Sequence, residues 1–129
     1  MPIYNPRLLA VDVEETRRYA GLNRSRETFP ESLLLEACAK AQLLITPKTT
    51  WEMYAYDSAF HTIMADEPLV LTSESIISLL EGAVMAAVLA ATVGERLEEE
   101  VSDEFTRGSY IKGLLLDAAG TSAVEQACD

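Results

Sequence analysis

Hydrophobic positions along the chain recur with a helical period in some stretches and with a period of two in others, and the changes of period mark its elements. Asp12 and Glu15 have capping-box spacing, which opens a predicted helix over Val13 to Ala20 that Gly21 closes with a left-handed residue. A stronger helix is expected from Thr28, which has the same spacing to Glu31, with Pro30 suited to the first turn. Its inward stripe reads Leu33, Leu34, Ala37, Cys38, Ala41, Leu44 and Ile45, while Glu36 and Lys40 pair on the outer face and Pro47 ends it.

From Lys48 the period becomes two, with the apolar row Trp51, Met53 and Ala55 alternating with Thr50, Glu52, Tyr54 and Tyr56, as a half-buried strand requires. A second extended run, Phe60 to Ala65 with His61 inside it, follows Tyr56-Asp57-Ser58 and predicts a hairpin. Leu69 to Leu71 is a short third extended piece, and Ser73 with Ser75 offers caps for a brief helix through Ile76, Ile77, Leu79 and Leu80 to Gly82. The run Ala83 to Thr92 is ambiguous: alanine favours helix, Val84 and Val88 favour strand, and a continuous apolar run has no readable period. After Gly94, Leu97, Val101 and Phe105 mark the inner face of an acidic helix that stops at Gly108. A last, long helix carries Ile111, Leu114, Leu115, Ala118 and Ala119 inward and runs to Asp129 without a stop signal, as a C-terminally truncated unit would.

These elements fit one α+β domain over residues 1–129, a small mixed or antiparallel sheet packed against several helices with a long helix at the C-terminal end. The 49% hydrophobic and 24% charged composition is an ordinary globular balance. Ala83 to Val93 falls well short of the ~20 apolar residues a membrane span needs, and the start lacks the basic and apolar regions of a secretory signal, so a cytoplasmic location without membrane contact is expected. A net charge of −11 repels a phosphate backbone, which argues against nucleic acid as a partner.

Candidate chemistry is sparse. Cys38 and Cys128 lack C-x-x-C spacing, and Cys38 sits on an apolar stripe as a small buried hydrophobe, so both are expected as free thiols. His61 is the single histidine, too few for a metal set and unaccompanied by a G-x-S-x-G elbow. Neither glycine-rich phosphate motif occurs. The carboxylates Glu98, Glu99, Glu100, Asp103 and Glu104 lie mostly opposite Leu97, Val101 and Phe105 and read as a solvated helix face. No independent catalytic constellation emerges, and no metal or catalytic residue is assigned.

Three segments in fixed order carry a resemblance: VDVEETRRYAGL, then VMAAVLAATVGERLEEEVSDEF, then RGSYIKGLLLDAAGTSAVEQACD. Together they resemble the activation domain of cobalamin-dependent methionine synthase over roughly Asp12 to Asp129. The resemblance implies an entry helix, a buried strand before the threonine-x-glycine turn at Thr92 to Gly94, and a long helix in which Glu125 contacts S-adenosylmethionine. It further implies a role in presenting the methyl group of S-adenosylmethionine to oxidised cobalamin, with a corrinoid or cobalamin-binding protein as partner. The family's later loop, with arginine and then proline-glycine-tyrosine, has no counterpart, since no proline follows Pro68. Two functions therefore stay open: an accessory module of a corrinoid methyltransferase system with an S-adenosylmethionine site around Glu125, or a non-catalytic docking domain that retains the fold without cofactor binding. An exposed apolar patch relieved by formation of a homodimer is also expected.

Overall fold

The computed structural model describes residues 3–8, 10–21 and 30–129. Among them the elements run β1 (Ile3–Tyr4), α1 (Val13–Tyr19), α2 (Glu31–Leu44), β2 (Lys48–Asp57), β3 (Thr62–Ile63), β4 (Leu69–Val70), α3 (Glu74–Leu79), β5 (Met85–Thr92), α4 (Glu95–Thr106) and α5 (Tyr110–Cys128). The fold is α+β, with a long helix last. The chain divides into two compact units, one of Thr50–Ala90 and one of Ile3–Thr49 with Ala91–Asp129.

In the helical unit, α1 forms where its cap predicts: Asp12 Oδ1 accepts the Glu15 backbone N–H at 3.0 Å, and Gly21 takes φ +76° after the last turn. The predicted cap at Thr28 lies outside the described residues, and α2 begins after Pro30 without a side-chain cap. Its stripe is inward as read, with Leu34, Ala37, Cys38 and Ala41 buried. The hub is α5, against which α1, α2 and α4 all pack. Being contacted on several sides, it buries the large Leu115 and Leu116 together with Ala118, Ala119, Ala123 and Ala127, whose small side chains let neighbours approach. Gly120 shows how close: a Cβ there would lie 2.5 Å from Leu97 Cδ2 of α4. Leu116, Ala119 and Ala123 join Val11, Cys38, Ala41, Val93 and Leu97 in the main core.

Three residues expected inside this unit are not. Ile111 and Leu114 are 52% and 49% exposed, and Phe105 is 40% exposed. For Phe105 the cause lies in the tight α4–α5 connection: its ring sits over Gly113 and tilts against Tyr110 with centroids 6.2 Å apart, so it covers the turn instead of entering the core.

In the other unit, β2 and β3 form the predicted hairpin, antiparallel with Tyr56 opposite Ile63, and β4 adds to β3 antiparallel with Ile63 opposite Leu69. The ambiguous run resolves as strand: β5 pairs with β2, and Tyr56 N donates to Val84 O at 2.9 Å. An open edge of β2 gives this alanine-rich segment ladder partners, which outweigh alanine's weak helical preference. The second strand is shorter than its predicted Phe60 to Ala65, because Asp57 Oδ1 accepts the backbone N–H groups of Ala59 and Phe60 and bends residues 58–61 into a turn. His61 belongs to that turn, not to a strand, and adopts φ +52°. Ser73 and Ser75 do not cap α3 through their side chains; their hydroxyls lie 3.1 Å apart and bond each other.

The face of β2 that goes inside is the opposite of the apolar row. Tyr56, Ile63 and Ala86 form the core of this unit, with Tyr54, Leu71, Leu80, Ala83 and Val88 against it. Trp51 and Met53 are 41% and 48% exposed, as are Met85 and Leu89 on the matching face of β5, at 47% and 46%. Two tyrosines bring more ring area to the inner face than Trp51 alone would; the Tyr54 hydroxyl donates to Glu52 Oε2 at 3.0 Å, while the Tyr56 hydroxyl is buried with no partner among the described residues.

Candidate functional site

The helical unit places Glu125 on the last turns of α5, exposed and, among the described residues, outside any ion pair. Its sequence neighbour Gln126 reaches back to the segment before α1: Gln126 Oε1 accepts the Asp12 backbone N–H at 2.9 Å, and Gln126 Nε2 donates to Ala10 O at 3.0 Å. One turn earlier, the buried Ser122 hydroxyl donates to Asp12 O at 3.3 Å, and Thr16 Oγ1 donates to the same carbonyl at 2.7 Å. This latch fixes the end of α5 against the entry to α1 and leaves the Glu125 carboxylate as a free acceptor beside a rigid support. Nothing in the sequence pairs Asp12 with Gln126, since the contact spans almost the whole chain.

A second constellation joins α2 to α4. Lys40 Nζ donates to Glu100 Oε1 at 2.6 Å and to Glu104 Oε1 at 2.8 Å, and Arg107 Nη2 reaches the same two carboxylates at 2.9 and 3.0 Å. Two expectations are corrected here. Lys40 pairs across to α4, not with Glu36 on its own helix. The acidic face is not uniformly solvated either: Glu98, Glu99 and Asp103 are exposed, but Glu104 is only 6% exposed. A readable signal existed, because Glu100, Glu104 and Arg107 share a helical face and Lys40 is the one basic residue of α2.

The hydrogen bond from Lys40, followed by that from Arg107, holds the carboxyl of Glu100 below its usual 4.5; Lys40 does the same for Glu104, with burial opposing. The two glutamates raise Lys40 in return. Depressed carboxylates contribute stability that is complete above their unfolded pKa and lost as pH falls through the folded one. The unfolding midpoint is therefore expected to drop as pH is lowered below about 4.5, and Lys40→Met to flatten that acid limb; an unchanged limb in the variant would place the titration elsewhere.

The cavity between Lys40, Glu104 and Lys112 has a volume of about 60 Å³, room for about two waters. Cys38 lies in the core, where burial raises its thiol above the usual range and the Thr16 hydrogen bond only partly offsets this. Cys128 is a free, exposed thiol. No cluster of three or more His, Cys, Asp or Glu fit to hold a metal occurs among the described residues, and His61 stands in the other unit from Glu125. No helix of the described residues is long and apolar enough to cross a membrane.

Comparison with known proteins returns no matching family model and no matching curated protein.

Proposed function

We propose that this chain is an activation-domain-like accessory module of a cobalamin-dependent methionine synthase or related corrinoid methyltransferase system, contacting S-adenosylmethionine through Glu125. The observation that carries the reading is the state of Glu125: an exposed carboxylate, outside any ion pair among the described residues, on a helix whose end is clamped by Gln126 and Ser122. An ammonium or hydroxyl donor of S-adenosylmethionine finds there an acceptor that need not first break an internal bond. Further support comes from the places of the three resembling segments, which fall on α1, on β5 with the turn into α4, and on α5.

S-adenosylmethionine supplies the activated methyl group and cobalamin the metal centre that receives it, so the protein's share is binding and orientation. Glu125 anchors, the Asp12–Gln126 latch keeps the anchor in place, and a cobalamin-carrying partner brings the acceptor. Isothermal titration with S-adenosylmethionine is expected to give saturable heat that Glu125→Ala abolishes while the unfolding midpoint stays unchanged.

A docking role without cofactor is the second reading, favoured by the exposed face of Trp51, Met53, Met85 and Leu89. Methionine-rich apolar surfaces adapt to protein partners. No heat in the same titration, with the fold intact, selects this reading.

A further inference from the structure

Tyr56 N donates to Val84 O, so the alternation of the strand that follows turns the backbone groups of Ala86, Val88 and Ala90 toward β2 and those of Met85, Ala87 and Leu89 away from it. Among the described residues β5 pairs with β2 alone. Each outward residue therefore offers an N–H and a C=O that no neighbouring strand takes up, and Met85, Ala87 and Leu89 are exposed as well.

Edges of this kind template pairing with a further strand, and proteins guard them with brevity, proline or charge. At the far end of the sheet β4 is guarded in all these ways: it is two residues long and follows Asp66, Glu67 and Pro68. The edge of β5 is not. It is eight residues long and lies within Gly82 to Gly94, the longest stretch of the chain without Asp, Glu, Lys, Arg or Pro.

Charge and register both select a second copy of this chain as the occupant. A chain of net charge −11 repels its own copy over most of its surface, and this edge lets two copies meet without setting carboxylates against one another. The strand is also complementary to itself. With a two-fold axis at Ala87, antiparallel pairing puts Ala87 opposite Ala87 of the other copy and Met85 opposite Leu89, so outward backbone groups exchange hydrogen bonds, small meets small on the axis and apolar meets apolar beside it. A foreign strand gains only the backbone bonds, because no charged side chain along Met85 to Leu89 selects its sequence. We propose that β5 pairs antiparallel with β5 of a second copy, joining two sheets into one across a two-fold axis. The dimer uses the edge of β5, leaves the face of Trp51 and Met53 open, and does not rest on the Glu125 assignment. One strand pair falls at the small end of protein interfaces, below about 1,200 Å², so the dimer is expected to form in the micromolar range and, its axis being closed, to stop at two.

Sedimentation velocity of the whole chain from micromolar to millimolar concentration is expected to show a monomer giving way to a dimer and nothing larger. Hydrogen exchange of the ¹⁵N-labelled chain over the same range reads the register: the amides of Met85, Ala87 and Leu89 are expected to slow as concentration rises, while those of Ala86 and Val88, turned to β2, keep their rates. Ala87→Glu and Ala87→Lys each set like charges on the axis and are expected to weaken the dimer by about threefold or more, and their equimolar mixture to restore it. A chain that stays monomeric throughout, open-ended oligomers, a dimer in which the Met85, Ala87 and Leu89 amides do not slow, or charge variants whose mixture associates no better than either alone overturns the proposal.

Discussion

Leu116→Ala is expected to lower the unfolding free energy by about 2–5 kcal/mol. Leu116 is 1% exposed and stands in the main core with Cys38, Ala41, Leu97 and Ala119. Its neighbours come from α2, α4 and α5, three helices whose backbones cannot all shift to fill the gap, so most of the vacated volume stays as a cavity. Against a total stability of about 5–15 kcal/mol for a domain, that loss moves the urea midpoint far. The matched control is Leu43→Ala on α2: Leu43 is 78% exposed, and its replacement is expected to stay within about 0.5 kcal/mol. Equal effects at both positions, read by circular dichroism during urea unfolding, would mean that α5 is not the hub of this unit.

Gly94→Ala is expected to cost a comparable amount for a different reason. Gly94 has φ +92° and ψ 171°, a region open essentially to glycine alone, which costs a residue with a side chain about 1–3 kcal/mol. A Cβ would in addition collide with the Thr46 hydroxyl. The Thr46 backbone is held, since its N–H donates to Val93 O at 2.7 Å, so relief has to come from rotation of its side chain away from its present rotamer. Overpacking of this kind adds about 1–3 kcal/mol. The two parts separate experimentally. Gly21→Ala and Gly108→Ala, at φ +76° and +81° with open space around them, are expected to show a left-handed backbone cost of about 1–2 kcal/mol with no collision. Thr46→Ala in the Gly94→Ala background is expected to recover the collision part; a double variant no more stable than the single one would refute the collision.

Most of the elements are legible in the sequence because local chemistry fixes them. Asp12 and Glu15 announce α1, the apolar stripe from Leu33 to Ile45 announces α2, and Gly94 and Gly108 bracket α4. The run Ala83 to Thr92 is not legible on its own terms, since its strand character depends on the ladder that β2 offers. The burial of β2 likewise depends on what lies across from it: Tyr56 faces Ile63 and Ala86, a fact of pairing that alternation cannot convey. Glu104 illustrates the same limit for charge, because helical spacing places it on the acidic face while the Lys40 ammonium, more than sixty positions away along the chain, draws it inside. That Glu125 lies on the terminal helix is legible in the sequence, whereas its choice as a contact rests on the resemblance alone; the bonds from that helix to Asp12 and Ala10 are not legible, as they join opposite ends of the sequence.

The proposed contact of S-adenosylmethionine with the end of α5 is tested most directly by following backbone amides as the ¹⁵N-labelled protein is titrated with it. Saturable shifts centred on Ser122 to Cys128 and on Asp12, lost in Glu125→Gln, are the predicted result. An α5 whose amides stay still at millimolar ligand, or respond equally in the Glu125→Gln variant, contradicts it.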